Sequence, residues 1–326
     1  MPAPKISILL PLYKVEKYVT ACLQSILAQT SYDFEIIAVD DCSPDLSGKI
    51  VADILGAQST IPWKLITNSA NVGLAETRRI AANHASGDYV LCVDSDDHID
   101  RDLLRIVARE AAQYDADVVI FAATNVYADG SVNYLIESDD TVITGIQAVE
   151  KILGLSLQAY CWNKLVRRSI FIQVEHPSGL IYEDICVSVQ TLAQARTVRL
   201  IPDRLYFYVL RDSGISTSFN PKVTDLFAIL DLVEKTTRLL PIEDYRRLFF
   251  RLKYIYGFRT IAFQAAMRAP DYKSAKPILL SVARKLHLAH LRAMYADDRP
   301  RLTFVMCLLK IHPRIFYGFT RRFSNR

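Results

Sequence analysis

Along residues 5–124, short apolar runs alternate with stretches whose apolar positions recur at helical spacing. "KISILLPLY" (5–13) reads as a strand that stops at Pro11, and "YVTACLQSILAQT" (18–30) as a helix. "FEIIAVDD" (34–41) is a second strand, "PDLSGKIVADIL" (44–55) a helix with Asp45 in its first turn, and "WKLIT" (63–67) a third strand. "LAETRRIAANHA" (74–85) is a helix stopped near Gly87, followed by a strand in "DYVLCVDSDD" (88–97). A helix over 101–114 and a strand in "DVVIFAAT" (117–124) complete the series. Apolar strands alternating with helices predict an α/β fold whose mostly parallel, Rossmann-like sheet is covered on both faces. In such a sheet ligands bind beyond the carboxyl ends of the strands, where "LPLY", "VDD", "TNSANVG" and "VDSDD" fall.

From Tyr127 the alternation loosens. A helix over 144–153 leads into "YCWNKLVRRSIF", and Gly179 with the acids after it introduces a helix in "GLIYEDICVSVQTLAQA". "TVRLIPDRLYFYVLRDSGIST" reads as two short strands and a loop. After Pro221 helices are expected over 223–240, 243–268, 271–294 and 300–319, separated by Pro241, Pro270 and Pro300. The expected division is therefore an α/β domain over 1–220 and a helical extension over 221–326.

Charge sharpens that division. The net charge of +4 is the sum of two unlike parts: residues 1–220 carry 18 Lys/Arg against 27 Asp/Glu, and residues 221–326 carry 21 against 8. The basic stretch "RPRLTFVMCLLKIHPRIFYGFTRRFSNR" (299–326) mixes apolar residues with Arg299, Arg301, Lys310, Arg314, Arg321, Arg322 and Arg326. It suits an interfacial helix at the inner face of the cytoplasmic membrane, or a docking helix with its arginines in water. No nucleic-acid motif accompanies the charge, so no nucleic-acid partner is expected. Six scattered cysteines without a CxxC pair predict free thiols in a reducing compartment. No signal peptide and no run of about 20 apolar residues is present, so a cytoplasmic chain, peripheral at the membrane, is expected.

The chemistry concentrates at strand ends. In "CVDSDDHID" (92–100), Asp94, Asp96 and Asp97 crowd after an apolar strand, where like charges repel unless a cation intervenes. Carboxylates together with phosphate oxygens suit Mg²⁺ or Mn²⁺; the bland alternative is a solvated turn capping the next helix. In "VDDCSPD", Asp40 or Asp41 suits hydrogen bonds from a base or ribose, and Asp45 suits a helix cap. "NSANVGLAETRR" places Asn71 and Gly73 before a helix bearing Arg78 and Arg79, an arrangement that suits a diphosphate. Glu183 and Asp184 open a helix, either to favour its dipole or to serve as a general base.

Taken in order, "ISILLPLYKVEKYVTACLQSILAQT", "EIIAVDDCSPD" and "NVGLAETRRIAANHASGDYVLCVDSDD" resemble the family 2 glycosyltransferases, which have the GT-A fold. The resemblance covers residues 4–125 closely. It continues more loosely through "WNKLVRRSIF", "GLIYEDI" and "LYFYVLRDSGIS", which resemble the acceptor-side half of bacterial members that build surface polysaccharides. It implies that Pro11 and Tyr13 pack on the nucleotide base, that Glu16 lies near the base or ribose, and that Asp40 or Asp41 contacts the base. It also implies that Asn71, Gly73 and Arg78 lie near the diphosphate, and that Asp94, Ser95 and Asp96 form the D-x-D motif with Asp97 adjoining. Asp184 stands where the family's catalytic base is, with Glu183 beside it, and Arg211 and Ser216 fall in a loop over the diphosphate. Lys14, Cys42 and Arg79 depart from the family's usual Asn, Gly and Asn.

The resemblance implies metal-dependent, inverting transfer of a hexosyl or N-acetylhexosaminyl group from a nucleotide sugar, UDP-linked by family prevalence. The acceptor would be a glycan or a lipid-linked saccharide used in surface polysaccharide, as in capsule or lipopolysaccharide. The alternative is a GT-A-like nucleotide-binding module without transferase activity.

Overall fold

The computed structural model describes residues 5–324 apart from 32, 58, 59, 137, 211–217 and 298. The chain forms two compact units, residues 1–149 with 158–211, and residues 150–157 with 212–326.

In the first unit the chain begins with β1 (Ile6–Leu12), α1 (Val19–Leu27), β2 (Phe34–Asp40), α2 (Ser47–Gly56), β3 (Trp63–Thr67), α3 (Leu74–His84) and β4 (Tyr89–Cys92). It continues with β5 (His98–Ile99), α4 (Leu103–Tyr114), β6 (Val118–Val126), β7 (Val132–Ile136), β8 (Thr141–Thr144) and α5 (Gly145–Leu153), whose last residues from 150 on are counted with the second unit. Then follow β9 (Lys164–Arg167), α6 (Arg168–Phe171), α7 (Glu183–Gln194) and β10 (Thr197–Val209). One sheet runs in the order β3-β2-β1-β4-β9-β6-β10-β5, with β7 beside β6 and β8 beside β10. Every residue of β1, β2 and β4 is buried, as expected of strands covered on both faces. Isoleucines and leucines of those strands meet Val19, Leu23 and Ile26 of α1 and Leu104 and Val107 of α4 in one apolar core.

Because β1, β2, β3 and β4 are mutually parallel, their carboxyl ends share one edge. The sheet as a whole is mixed: β9 runs antiparallel between β4 and β6. A short apolar run carries no sign of its direction, so the sequence pattern does not reveal this reversal. The stretch expected as two strands is the single β10, whose register against β6 shifts between Ile201 and Tyr206, around Pro202. A proline lacks the ladder N–H, so the strand bulges there and resumes. Gly48 lies close under Asp40: a Cβ there would stand 2.5 Å from Asp40 Oδ2, so a larger residue would have to move that carboxylate.

In the second unit the helices are α8 (Asp225–Thr237), α9 (Tyr245–Leu252), α10 (Ile261–Arg268), α11 (Tyr272–Lys285), α12 (Leu288–Ala296), α13 (Pro300–Ile311) and α14 (Pro313–Ser324). A wider π-helical stretch, Lys253–Thr260, joins α9 to α10. The expected helix over 300–319 breaks at His312, because the residue before a proline is driven out of helical geometry. α14 docks through Phe316, edge-on to Phe263 of α10 at 5.6 Å. Phe304, Ile311 and Ile315 stay exposed. No helix among the described residues is long and apolar enough to cross a membrane.

Candidate active site

The shared edge of β1, β2 and β4 carries the acids, and each loop there is tied by its own side chains. After β1, Tyr13 is 43% exposed with the Lys14 ammonium 5.0 Å from its ring centre. Glu16 accepts from the Leu46 N–H at 3.1 Å, and the Glu16 N–H donates to Asp45 at 3.3 Å, so these two acids knit neighbouring loops. Asp45 stands just ahead of α2 rather than in its first turn, and accepts from the Ser47 hydroxyl at 2.6 Å and the Ser47 N–H at 3.1 Å.

After β2 the paired acids part company. Asp40 accepts from the Ser43 N–H at 2.9 Å. Asp41, 3% exposed, accepts from Asn68 Nδ2 at 2.9 Å, the Val72 N–H at 2.8 Å and the Gly73 N–H at 2.9 Å. Asn71 Nδ2 donates to the Asp41 carbonyl at 3.3 Å. Asp41 thus fastens the start of α3, where a carboxylate also meets the positive end of the helix dipole. Gly73 takes φ +88°, a conformation that favours glycine. Lys14 (φ +56°) and Cys42 (φ +57°) also lie in the left-handed region. That is the backbone reason why Asn and Gly suit those two positions better.

The D-x-D turn, closed by the Asp97 N–H to the Asp94 carbonyl at 3.0 Å, splits its acids by burial. Ser95 is buried and donates to the Pro11 carbonyl at 2.7 Å. Asp94 and Asp96 are half-buried. Asp97 faces inward, accepting from the Tyr206 hydroxyl at 2.8 Å and the Val209 N–H at 2.8 Å. Burial and then the neighbouring Asp94 push its carboxyl well above the usual range.

Arg78, aimed by α3, joins residues far apart in sequence. It is 2% exposed; Nη2 meets Asp94 Oδ1 at 2.7 Å, and Nη1 meets Asp184 Oδ1 at 2.5 Å and Glu183 Oε1 at 3.2 Å. Burial, then repulsion by Asp184, lifts the Glu183 carboxyl to about 7 against the pull of Arg78. Tyr182, with φ +67°, turns the chain so that both acids open α7. Thus Arg78, Asp94, Glu183 and Asp184 meet at one point. Arg211 and Ser216 lie outside the described residues.

Four residues beneath this cluster are not singled out by the sequence pattern. Tyr206 also accepts the Asp94 N–H at 3.1 Å and stacks on Trp162 at 4.4 Å. Lys164 is buried, and its ammonium donates to the carbonyls of Gln158 (3.0 Å) and Tyr160 (2.5 Å) and to Asn163 Oδ1 (2.8 Å). Burial lowers it to about 8. The Cys161 thiol is raised by burial and then by the neighbouring Asp184 carboxylate. A lysine inside the apolar-aromatic run "YCWNKLV" is the signal that could have found them.

The glycosyl transferase family 2 model matches residues 7–174, more than half of the chain. The chain belongs to glycosyl transferase family 2. Among family relatives, GlyA of Streptococcus pneumoniae serotype 4, a glycosyltransferase, is 28% identical over 254 residues, 74% of this chain and 35% of GlyA. TarS of Staphylococcus aureus, a poly(ribitol-phosphate) β-N-acetylglucosaminyltransferase, is 28% identical over 213 residues, 64% of this chain and 36% of TarS. The chain therefore spans about a third of the length of these two relatives. The structure of TarS residues 1–349 with UDP-GlcNAc superposes at TM-score 0.72 and 19% identity, over 98% of this chain and 91% of that one. A mannosyltransferase of Pyrobaculum calidifontis with GDP-Man and Mn²⁺ gives 0.58 at 13%, over 99% and 88%. Both likenesses are of fold, the GT-A arrangement expected from the sequence.

Proposed function

We propose that the chain is a metal-dependent inverting glycosyltransferase that moves a hexosyl or N-acetylhexosaminyl group from a UDP-linked donor to a hydroxyl of a glycan or lipid-linked saccharide. The observation that carries this is the convergence of Asp94, Glu183 and Asp184 on Arg78 beside the half-buried Asp96. Asp94, Asp184 and the neighbouring Asp96 against one guanidinium leave an excess of negative charge where an anionic diphosphate would have to sit. The donor set is all oxygen, and among the described residues no three His, Cys, Asp or Glu side chains are grouped to hold a metal on their own. That fits Mg²⁺ or Mn²⁺ bound by one or two carboxylates and completed by phosphate oxygens.

Asp96, with Asp94, would hold the ion; Asp97 is left out, since its oxygens face Tyr206 and Val209. The ion supplies Lewis-acid stabilisation of the charge on the departing nucleoside diphosphate. Asp184 accepts the proton of the acceptor hydroxyl as that oxygen bonds to the anomeric carbon. The anomeric carbon–oxygen bond to phosphate breaks, its electron pair leaves with the diphosphate, and the single displacement inverts the configuration. Asp184→Asn tests this: transfer should fall about 10³-fold with UDP affinity retained, since removing a general base costs about 10²–10⁴. Transfer within tenfold of wild type overturns the assignment.

Access to a lipid-linked acceptor is read from α13 and α14. Phe304, Ile311 and Ile315 are exposed among Arg301, Lys310, Arg314, Arg321 and Arg322, and residues 299–326 contain no acid. Such a surface suits the anionic inner leaflet. Co-sedimentation with phosphatidylglycerol vesicles, weakened by salt and by Arg321→Glu/Arg322→Glu, is expected; equal binding to neutral vesicles contradicts it.

A further inference from the structure

Arg78 has two roles open to it chemically, as a ligand of the diphosphate or as a brace for the carboxylates around it. Its surroundings decide between them. Nη1 is spent on Glu183 and Asp184, and Nη2 donates to Asp94. Nε is buried without a partner, and only 2% of the side chain meets solvent. Its remaining N–H groups are buried with it, so a phosphate oxygen would reach them only by entering among three carboxylates, an anion placed beside anions.

The connections of Arg78 also run to the base and not toward the outside. Its helix is anchored by Asp41 on the Val72 and Gly73 N–H groups. Its guanidinium then spans from the D-x-D turn to the first turn of α7, whose Glu183 and Asp184 lie 105 and 106 residues beyond Arg78. Fixing Asp184 Oδ1 on Nη1 sets where the base stands relative to Asp94 on Nη2. A planar fork fixes the directions of its bonds to two carboxylates, which the rotatable donors of an ammonium do not.

We propose that Arg78 is a positioning residue that holds the base Asp184 in register with the D-x-D turn, and that the donor diphosphate does not touch it. The proposal rests on the glycosyltransfer reading above and assigns to this chain's arginine a different partner from the diphosphate.

The test compares Arg78→Gln and Arg78→Lys with wild type and with Arg79→Gln, a control at an exposed arginine paired to Glu76 on its own helix. UDP binding is measured by calorimetry with Mn²⁺, and kcat and donor KM by nucleotide release. A positioning role predicts kcat lowered about 100-fold in Arg78→Gln and about tenfold in Arg78→Lys, with UDP Kd and donor KM within threefold of wild type and of Arg79→Gln. A rise of tenfold or more in UDP Kd overturns the proposal, as does an unchanged kcat. If Arg78→Gln does not fold, the same criteria apply to Arg78→Lys, whose charge keeps the acids balanced. Failure of the parent reading is distinguishable: wild-type protein would then neither bind UDP nor turn over any donor.

Discussion

Removing the Asp41 carboxylate should unfasten the loop between β3 and α3 before it affects any chemistry. Asp41 is buried and accepts three hydrogen bonds, two from the main-chain N–H groups of Val72 and Gly73 and one from Asn68. A hydrogen bond to a charged group contributes roughly 1.5–3 kcal/mol net. Three sharing one carboxylate do not add fully, and water entering the gap recovers part, so Asp41→Ala should cost about 3–5 kcal/mol. For a unit of roughly 200 residues that lowers the melting temperature by about 10 °C. Asp41→Asn keeps one acceptor oxygen but turns an amide toward a main-chain donor, and should lose about half as much. Differential scanning fluorimetry without ligand measures both, and hydrogen exchange at Val72 and Gly73 locates the change. If Asp41→Ala melts within about 1 °C of wild type while UDP binding collapses, the carboxylate serves the donor and the reasoning fails.

Three further outcomes follow from the same geometry. The raised Glu183 carboxyl stabilises the fold relative to a neutral amide below its ordinary value near 4.5, and that contribution is lost as pH rises through about 7. The melting temperature of Glu183→Gln should therefore gain on wild type between pH 5 and pH 8, and a constant gap contradicts this. Cys42→Gly relieves a left-handed residue and should stabilise by about 0.5–1 kcal/mol in urea denaturation, whereas destabilisation would refute the strain. Lys164→Met strips three oxygens, that of Asn163 buried and those of Gln158 and Tyr160 half-buried, of their donor; it should cost about 3 kcal/mol and alter the emission of the neighbouring Trp162, and an unchanged spectrum and midpoint would refute it.

The acids at strand ends are legible because apolar runs ending in Asp stand out against an otherwise ordinary pattern, and "YED" marks the start of α7. What each acid touches is not legible. Asp40 and Asp41 are adjacent and chemically alike, yet only the path of the β3–α3 loop gives Asp41 three donors. Asp97 looks like its neighbours in sequence, but Tyr206, 109 residues on, draws it inward. Arg78 reads from its place near a helix start as suited to a diphosphate, and helical periodicity does not reveal that α7 brings two acids onto it. In the helical half, Pro241, Pro270 and Pro300 mark boundaries, and Pro313, inside the helix expected over 300–319, ends α13 by the same steric rule.

The central claim, a metal-assisted nucleotide-sugar transferase, is tested most directly by nucleoside diphosphate release. Purified protein would be incubated with UDP-, GDP- and dTDP-sugars in Mn²⁺, Mg²⁺ or EDTA, beside Asp96→Ala and Asp184→Ala, with thermal shift read in the same wells. The account predicts metal-dependent release from a UDP-sugar, abolished by EDTA and by Asp96→Ala, with a metal-dependent thermal shift kept in Asp184→Ala. Neither release nor a metal-dependent shift with any nucleotide sugar would contradict it.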